Sequence, residues 1–201
     1  MAEIEDLKEI RNLMEKSSRF LSLSGLSGII AGITALLGAA YAWWFISQLG
    51  MMTIFVNPII VLFADALIVF VIALFAGIFF SWRKAVKQGV QFWCKTSKRL
   101  LINFLIPLVS GGIFCLFLIY HGYYLMIIPA TLIFYGLALV NASKFTYADT
   151  YYFGLSEIIL GLLASFFNGY GIWFWGIGFG VLHILYGIVI YFKYDYGVTN
   201  K

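Results

Sequence analysis

The sequence has few charged residues. Only 11% of its 201 residues are charged, whereas 63% are hydrophobic, and a soluble domain usually carries about 25% charged residues. This shortage excludes an ordinary soluble protein, and no segment between the apolar runs reaches the roughly 50 residues that a soluble domain needs. Several apolar runs approach or exceed the roughly 18–20 residues that cross a bilayer core. We therefore interpret the chain as a polytopic membrane protein.

Cysteine and histidine are equally scarce, which argues against several kinds of site. Cys94 lies in a basic stretch and Cys115 in an apolar one, so their predicted depths differ and a disulfide framework is not expected. His121 and His183 also differ in predicted depth, which argues against a haem held by two histidines. No Cys and His cluster has zinc-ligand spacing, and no phosphate-binding loop motif is present. We expect no metal and no cofactor.

The apolar runs predict an all-α fold, a bundle of six transmembrane helices built of three helical hairpins. The predicted spans are 20–46, 58–82, 100–120, 124–140, 147–167 and 172–192. Residues 1–19 precede this domain of residues 20–192, and their apolar positions recur at helical spacing. They predict an amphipathic helix on the membrane surface, with a partner-binding arm as the alternative. Residues 193–201 form a short polar tail.

Positive charge is confined to one side of the predicted bundle. With six spans, all 13 Lys and Arg residues fall in the two terminal segments and in the second and fourth connections. The positive-inside rule then predicts a bacterial inner-membrane protein with both termini in the cytoplasm. The most basic stretch, 83–99, also contains aromatic residues. We expect it to lie on an anionic lipid leaflet rather than on nucleic acid.

Glycine-containing segments recur along the chain. Residues 25–33 align with residues 154–162, and Tyr135-Gly136 is echoed by Tyr186-Gly187, which suggests an ancestral two-helix hairpin used three times. Chance similarity among apolar helices is the alternative explanation. Small residues let membrane helices approach closely. We predict helix-packing roles for six glycines: Gly28, Gly32, Gly161, Gly176, Gly180 and Gly187.

Three ionisable residues lie inside apolar spans. Glu157 and His183 fall at nearly the same depth in the last predicted hairpin, and Asp65 lies in the second span. A charge near the middle of the bilayer costs about 2.5–3.5 kcal/mol on insertion scales, so we predict that Glu157 pairs with His183. That pair is either a structural clasp or a site for a proton or ligand. Asp65 is a further candidate, either for structural pairing or for a cation site.

Two segments carry a resemblance to known membrane proteins. Residues 14–28 and 178–187 resemble a group of uncharacterised six-helix membrane proteins of Bacteroidetes-type bacteria, a resemblance that implies no established activity. The glycine-rich hairpins are also loosely similar to the HdeD-like acid-resistance membrane proteins, which are built of short two-helix repeats.

Two classes of function remain open. One is a non-enzymatic membrane protein that senses, scaffolds, or binds a lipid or small apolar ligand. The other is a small transporter or channel that uses Glu157 and His183. We prefer the first, because no inverted repeat is evident and few polar residues could line a pore. An enzyme comes third, for lack of a convergent nucleophile, base and oxyanion site. Expected partners are membrane lipid, a second copy of the chain or another membrane protein, and not nucleic acid.

Overall fold

A computed structural model describes residues 20–48, 57–167 and 169–196, and within these ranges the fold is all-α, without strands. Six helices lie in these ranges: α1 (Gly25–Ser47), α2 (Pro58–Lys87), α3 (Lys95–Tyr120), α4 (Ile127–Ala142), α5 (Asp149–Phe166) and α6 (Gly171–Asp195). Short 3₁₀ turns, Tyr124–Met126 and Ser143–Phe145, flank α4. The helical class of the fold is confirmed. The predicted amphipathic helix at 1–19 lies outside the described residues, and the three-hairpin arrangement stays a prediction.

Five helical segments of the described ranges are long and apolar enough to cross a membrane. They are Gly25–Ser47, Pro58–Lys87, Lys95–Tyr120, Tyr124–Phe145 and Gly171–Asp195. The chain therefore has the architecture of a multi-pass membrane protein. The sixth predicted crossing coincides with α5, which is not among the five. Its 18 residues include Asp149 and Glu157, two carboxylic acids that lower its mean hydropathy.

Two antiparallel helix pairs form the centre of the bundle, α1 with α6 and α4 with α5. In the first pair, a methyl group built on Gly187 would lie 2.6 Å from the carbonyl oxygen of Gly25. In the second pair, a methyl group on Gly136 would lie 2.6 Å from the carbonyl oxygen of Gly154. Both distances are far below van der Waals contact, so the backbones of each pair touch directly, as glycines in membrane helices allow.

The two pairs make equivalent contacts at equivalent residues of the predicted repeat. A methyl group on Gly32 would meet the Cγ1 atom of Ile184 at 2.6 Å, and one on Gly161 would meet the Cγ1 atom of Ile133 at 2.7 Å. The aligned segments 25–33 and 154–162 are thus used in the same way, each against a different helix. Helix α5 packs more extensively against α4 than against α6, and α6 packs more extensively against α1 than against α5.

The remaining helices flank these pairs. Helix α2 packs against α1, where Val69 meets Gly38, and α3 packs against α4, where Gly111 meets Phe134. The Lys and Arg residues of the described ranges gather where α1, α3 and α5 begin and α2, α4 and α6 end. These residues are Arg83, Lys84, Lys87, Lys95, Lys98, Arg99, Lys144 and Lys193. We call this the basic end of the bundle.

A comparison of two alanine substitutions tests the close helix contacts. Gly187→Ala should lower stability by about 1–3 kcal/mol, the usual cost of overpacking, because its new methyl group would be driven into the backbone of α1. Gly77→Ala on α2 is the matched control, since no described atom outside the nearby backbone of α2 lies within 4 Å of its new methyl group, and alanine favours a helix. Thermal unfolding in detergent should separate the two variants. Equal midpoints would contradict the packing described above.

Candidate functional site between the helix pairs

Glu157 and His183 face each other across the boundary between the two helix pairs. Glu157 lies on α5 with 0% of its surface exposed, and His183 lies on α6 with 8% exposed. The Oε1 atom of Glu157 is 3.8 Å from the Nδ1 atom of His183. Within the described ranges neither carboxyl oxygen of Glu157 has a hydrogen-bond partner. The structure thus brings the two predicted residues together, with a gap that a shift of about 1 Å would close to a hydrogen bond.

Both ring nitrogens of His183 have other partners. Nδ1 is 3.2 Å from the carbonyl oxygen of Gly178, and Nε2 is 2.7 Å from the hydroxyl oxygen of Tyr135 on α4. A carbonyl oxygen can only accept, so the network assigns the ring proton to Nδ1. In a neutral imidazole Nε2 then accepts from the Tyr135 hydroxyl. An uncharged ring therefore satisfies both contacts, and the contact with Tyr135 joins it to α4.

A wide turn of α6 makes room for this arrangement. Residues Gly176–Leu182 form a π-helix, and His183 follows directly. Such turns are rare and are found often at functional sites. A methyl group on Gly178 would lie 2.6 Å from the Oε2 atom of Glu157. Glycine at this position leaves the space that the carboxyl group occupies.

Aromatic rings enclose the imidazole of His183. Its centroid is 4.8 Å from the ring of Phe153 on α5, 5.3 Å from Tyr135 and 5.8 Å from Phe179. The rings keep water from the pair, and a protonated imidazole could interact with their faces. The site can therefore hold a neutral acid beside a neutral base, or an ion pair in which Glu157 has lost its proton and Nε2 of His183 has gained one, with the Tyr135 hydroxyl turned to accept from it.

A second polar contact joins the helix pairs one to two helical turns closer to the basic end. The hydroxyl groups of Thr150 on α5 and Tyr186 on α6 are 2.8 Å apart, and the ring of Tyr186 stacks on Phe153 at 4.7 Å. Sequence reasoning did not identify Tyr135, Gly178 or Thr150 as parts of the site. The sequence does contain one indication of these residues: the pair Tyr135-Gly136 recurs as Tyr186-Gly187, and both tyrosines line this boundary.

The other predicted residues lie elsewhere. Asp65 is partly buried on α2 and faces α1, where its carboxylate would lie 3.4 Å from a methyl group on Gly38. It belongs to a different contact from that of Glu157 and His183. The predicted packing glycines all lie at contacts between helices. They are Gly28, Gly32, Gly161, Gly176, Gly180 and Gly187. Gly176 is the least crowded of them, since a methyl group added to it would lie 3.4 Å from the Cβ atom of Ala39.

A clamp of buried polar groups at the basic end was also missed by sequence reasoning. Lys84 is only 8% exposed, and its Nζ atom donates to the carbonyl oxygen of Leu23, the hydroxyl of Tyr147 and the carboxylate of Asp195. Asp195 also accepts from the backbone N–H of Gly25, the first residue of α1, at 2.9 Å. The clamp ties α2, α6 and the segment before α5 to the start of α1. The sequence places Lys84 among the charges of residues 83–99, which predict a lipid-facing surface, and a single sequence does not show which cation of a basic run points inward.

Comparison with known proteins gives no relative for this chain: no protein-family model, curated protein or solved structure matches it. In the described part of the chain, no group of three or more His, Cys, Asp or Glu residues could hold a metal ion. The site is therefore interpreted from its own residues.

The clamp is tested by removing its cation. Lys84→Met should destabilise the protein, by up to about 3 kcal/mol, because it removes the lysine partner of the half-buried carboxylate of Asp195. Adding Asp195→Asn should recover part of this loss. Lys193→Met is the matched control, since Lys193 is exposed and its ion pair with Asp149 lies at the surface. Unfolding midpoints in detergent measure all three. A Lys84 variant as stable as the Lys193 variant would show that the clamp contributes little.

Proposed function

We propose that this chain is a non-enzymatic bacterial inner-membrane protein with six crossings, and that the buried pair of Glu157 and His183 is its proton-sensing site. The observation that carries the proposal is the fully buried carboxyl group of Glu157, which has no hydrogen-bond partner in the described ranges and faces the imidazole of His183.

The packing of α5 supports a sixth crossing despite its low hydropathy. Gly154 lies beside Gly136, and Gly161 lies beside Ile133, so α5 runs antiparallel to α4 at the same depth. Helix α4 belongs to a segment that is itself apolar enough to span the membrane. The acid of α5 that would oppose insertion, Glu157, is turned away from lipid.

The position of the chain ends supports cytoplasmic termini. Ser24, before α1, donates a hydrogen bond to Asp195, the last residue of α6, so both ends of the described bundle meet at the basic end. The positive-inside rule favours the cytoplasm for such a cluster of Lys and Arg. The inner membrane of a bacterium, and membership of the six-helix group that the sequence resembles, are parts of the same proposal.

Sensing follows from the chemistry of the pair. An ionised carboxylate without hydrogen bonds is costly in an apolar interior, so Glu157 is held as a neutral acid. Release of this proton to water would leave a carboxylate facing the Nδ1–H of His183, and uptake of a proton at Nε2 would give the ring a positive charge. Either change alters the electrostatic attraction between α5 and α6. Among the described residues, the other titratable groups at this boundary are Tyr135 on α4 and Tyr186 on α6. Proton occupancy would thereby set how the two helix pairs are joined.

A pH series on the purified protein tests this assignment. The pKa of an exposed glutamic acid is about 4.3, and that of an exposed imidazole is about 6.5. The wild type should lose stability as pH rises above about 6.5, because the unfolded chain releases the proton of Glu157 while the folded chain keeps it. Glu157→Gln should abolish that loss. This variant should instead lose stability as pH falls below about 6.5, where the unfolded chain takes up a proton on His183 and Glu157 no longer offsets it. Unfolding in detergent between about pH 5 and pH 8 gives these profiles.

Two further variants complete that series. His183→Asn should lose stability as pH rises across the whole range, from about pH 5 upward, because the opposing effect of the histidine below about pH 6.5 is gone. Tyr186→Phe, which removes only the hydrogen bond to Thr150, should lower stability equally at every pH. Parallel profiles for the wild type and the Glu157 and His183 variants would refute the proton site.

A small proton transporter is the second candidate, because the same pair combines a buried acid with an unusual turn of α6. Reconstitution in vesicles that contain a pH-sensitive dye distinguishes the two. A sensor should leave an imposed pH gradient as stable as it is in protein-free vesicles. A wild-type leak that Glu157→Gln abolishes, and that Tyr186→Phe preserves, would favour transport.

A further inference from the structure

A structured and strongly basic surface surrounds the connection between α2 and α3. Its cations are all exposed: Arg83, Lys87, Lys95, Lys98 and Arg99. Lys84 lies in the same stretch but points inward to Asp195. We call the five exposed residues, together with the apolar side chains among them, the interfacial basic surface.

Local structure holds this connection in one conformation. Gly89 lies two residues beyond the end of α2, and its φ of 65° is in the left-handed region. The next N–H, of Val90, donates to the carbonyl oxygen of Ala85 at 3.1 Å. Helix α3 begins with a capping box between Cys94 and Ser97. The ring of Phe92 also packs edge-on against Phe20 at 5.7 Å. Because both helix ends are fixed, the five cations start from set positions, which reduces the entropy lost on binding.

Exposed apolar side chains alternate with these cations. Trp82, Val86, Val90 and Trp93 are each at least half exposed, and the Nζ atom of Lys98 lies 5.7 Å from the ring of Trp93. The 30 residues of α2 span about 45 Å at 1.5 Å per residue, which exceeds the roughly 30 Å of a hydrocarbon core. The last turns of α2 therefore reach the headgroup region, where tryptophan is favoured.

Carboxylates do not neutralise this surface within the described ranges. The sequence contains no Asp or Glu between Asp65 and Asp149. At the basic end Asp149 pairs with Lys193, and Asp195 with Lys84. Glu157 is buried between the helix pairs.

We propose that the interfacial basic surface binds the phosphate headgroups of anionic phospholipids in the cytoplasmic leaflet. The cations reach the phosphate oxygens, while the tryptophans and valines lie among the upper acyl chains, as in interfacial amphipathic helices. This inference does not depend on the proton site. The test below distinguishes lipid from two alternative occupants of the surface, which are the acidic residues of the chain's own segment 1–19 and a nucleic acid.

Native mass spectrometry of the full-length protein in mixed micelles measures the preference for phosphatidylglycerol over phosphatidylcholine. Lys98→Gln should lower that preference by about fivefold, the equivalent of about 1 kcal/mol per cation near a lipid surface. Replacing all five cations by Gln should remove it, and added inorganic phosphate should not displace the lipid from the wild type. Lys144→Gln is the control, since it removes an exposed cation of the basic end outside this surface.

Three results would overturn the proposal. One is a preference for phosphatidylglycerol that is unchanged when all five cations are replaced. In the second, the wild type shows no preference for phosphatidylglycerol, but a variant in which Glu3, Glu5, Asp6 and Glu9 are neutralised does. The acidic segment would then be the occupant of the surface. In the third, the protein binds an RNA oligonucleotide in a salt-sensitive way that requires the five cations, whereas its preference for phosphatidylglycerol does not require them.

Discussion

Direct contact between helix backbones is the constraint on which the rest of this structure depends. Gly25 with Gly187, and Gly136 with Gly154, bring α1 against α6 and α4 against α5 at distances that no other residue would allow. In lipid, helices gain little from burying apolar side chains, because the surroundings are equally apolar, so close packing has to supply the association. The two pairs formed in this way divide the bundle, and the buried polar groups lie at the boundary between them.

That boundary has a different chemistry from the interior of each pair. Glu157, His183, Tyr135, Thr150 and Tyr186 meet there through hydrogen bonds, rings and one short gap. Polar contacts of this kind depend on protonation, whereas contacts between glycine backbones do not. A change in proton occupancy would therefore act on the boundary and leave each pair intact. The π-helical turn before His183 belongs to the same arrangement, since it places Gly178 against the carboxyl group of Glu157.

The basic end separates charges by their surroundings. Lys84 is buried and satisfied by three acceptors, so it fastens the start of α1 to the ends of α2 and α6. Its neighbours Arg83 and Lys87 are exposed and belong to the interfacial basic surface. One helical turn thus carries an internal clamp on one side and an exposed basic surface on the other, because consecutive residues of a helix point in different directions.

The sequence by itself determined the membrane class, the helix bounds to within five residues and, for the described residues, the confinement of positive charge to one end of the bundle. These properties follow from hydropathy and charge along the chain. It also indicated that Glu157 and His183 share a depth, since depth follows from helical rise. Tertiary structure alone decided that α5 packs mainly on α4 and α6 on α1, that Tyr135 and Gly178 complete the site, and that Lys84 is buried. The physical reason is that hydropathy reports only whether a residue avoids water. Which helix a face contacts depends on glycines and side chains far apart in the chain, and a single sequence does not specify that pairing.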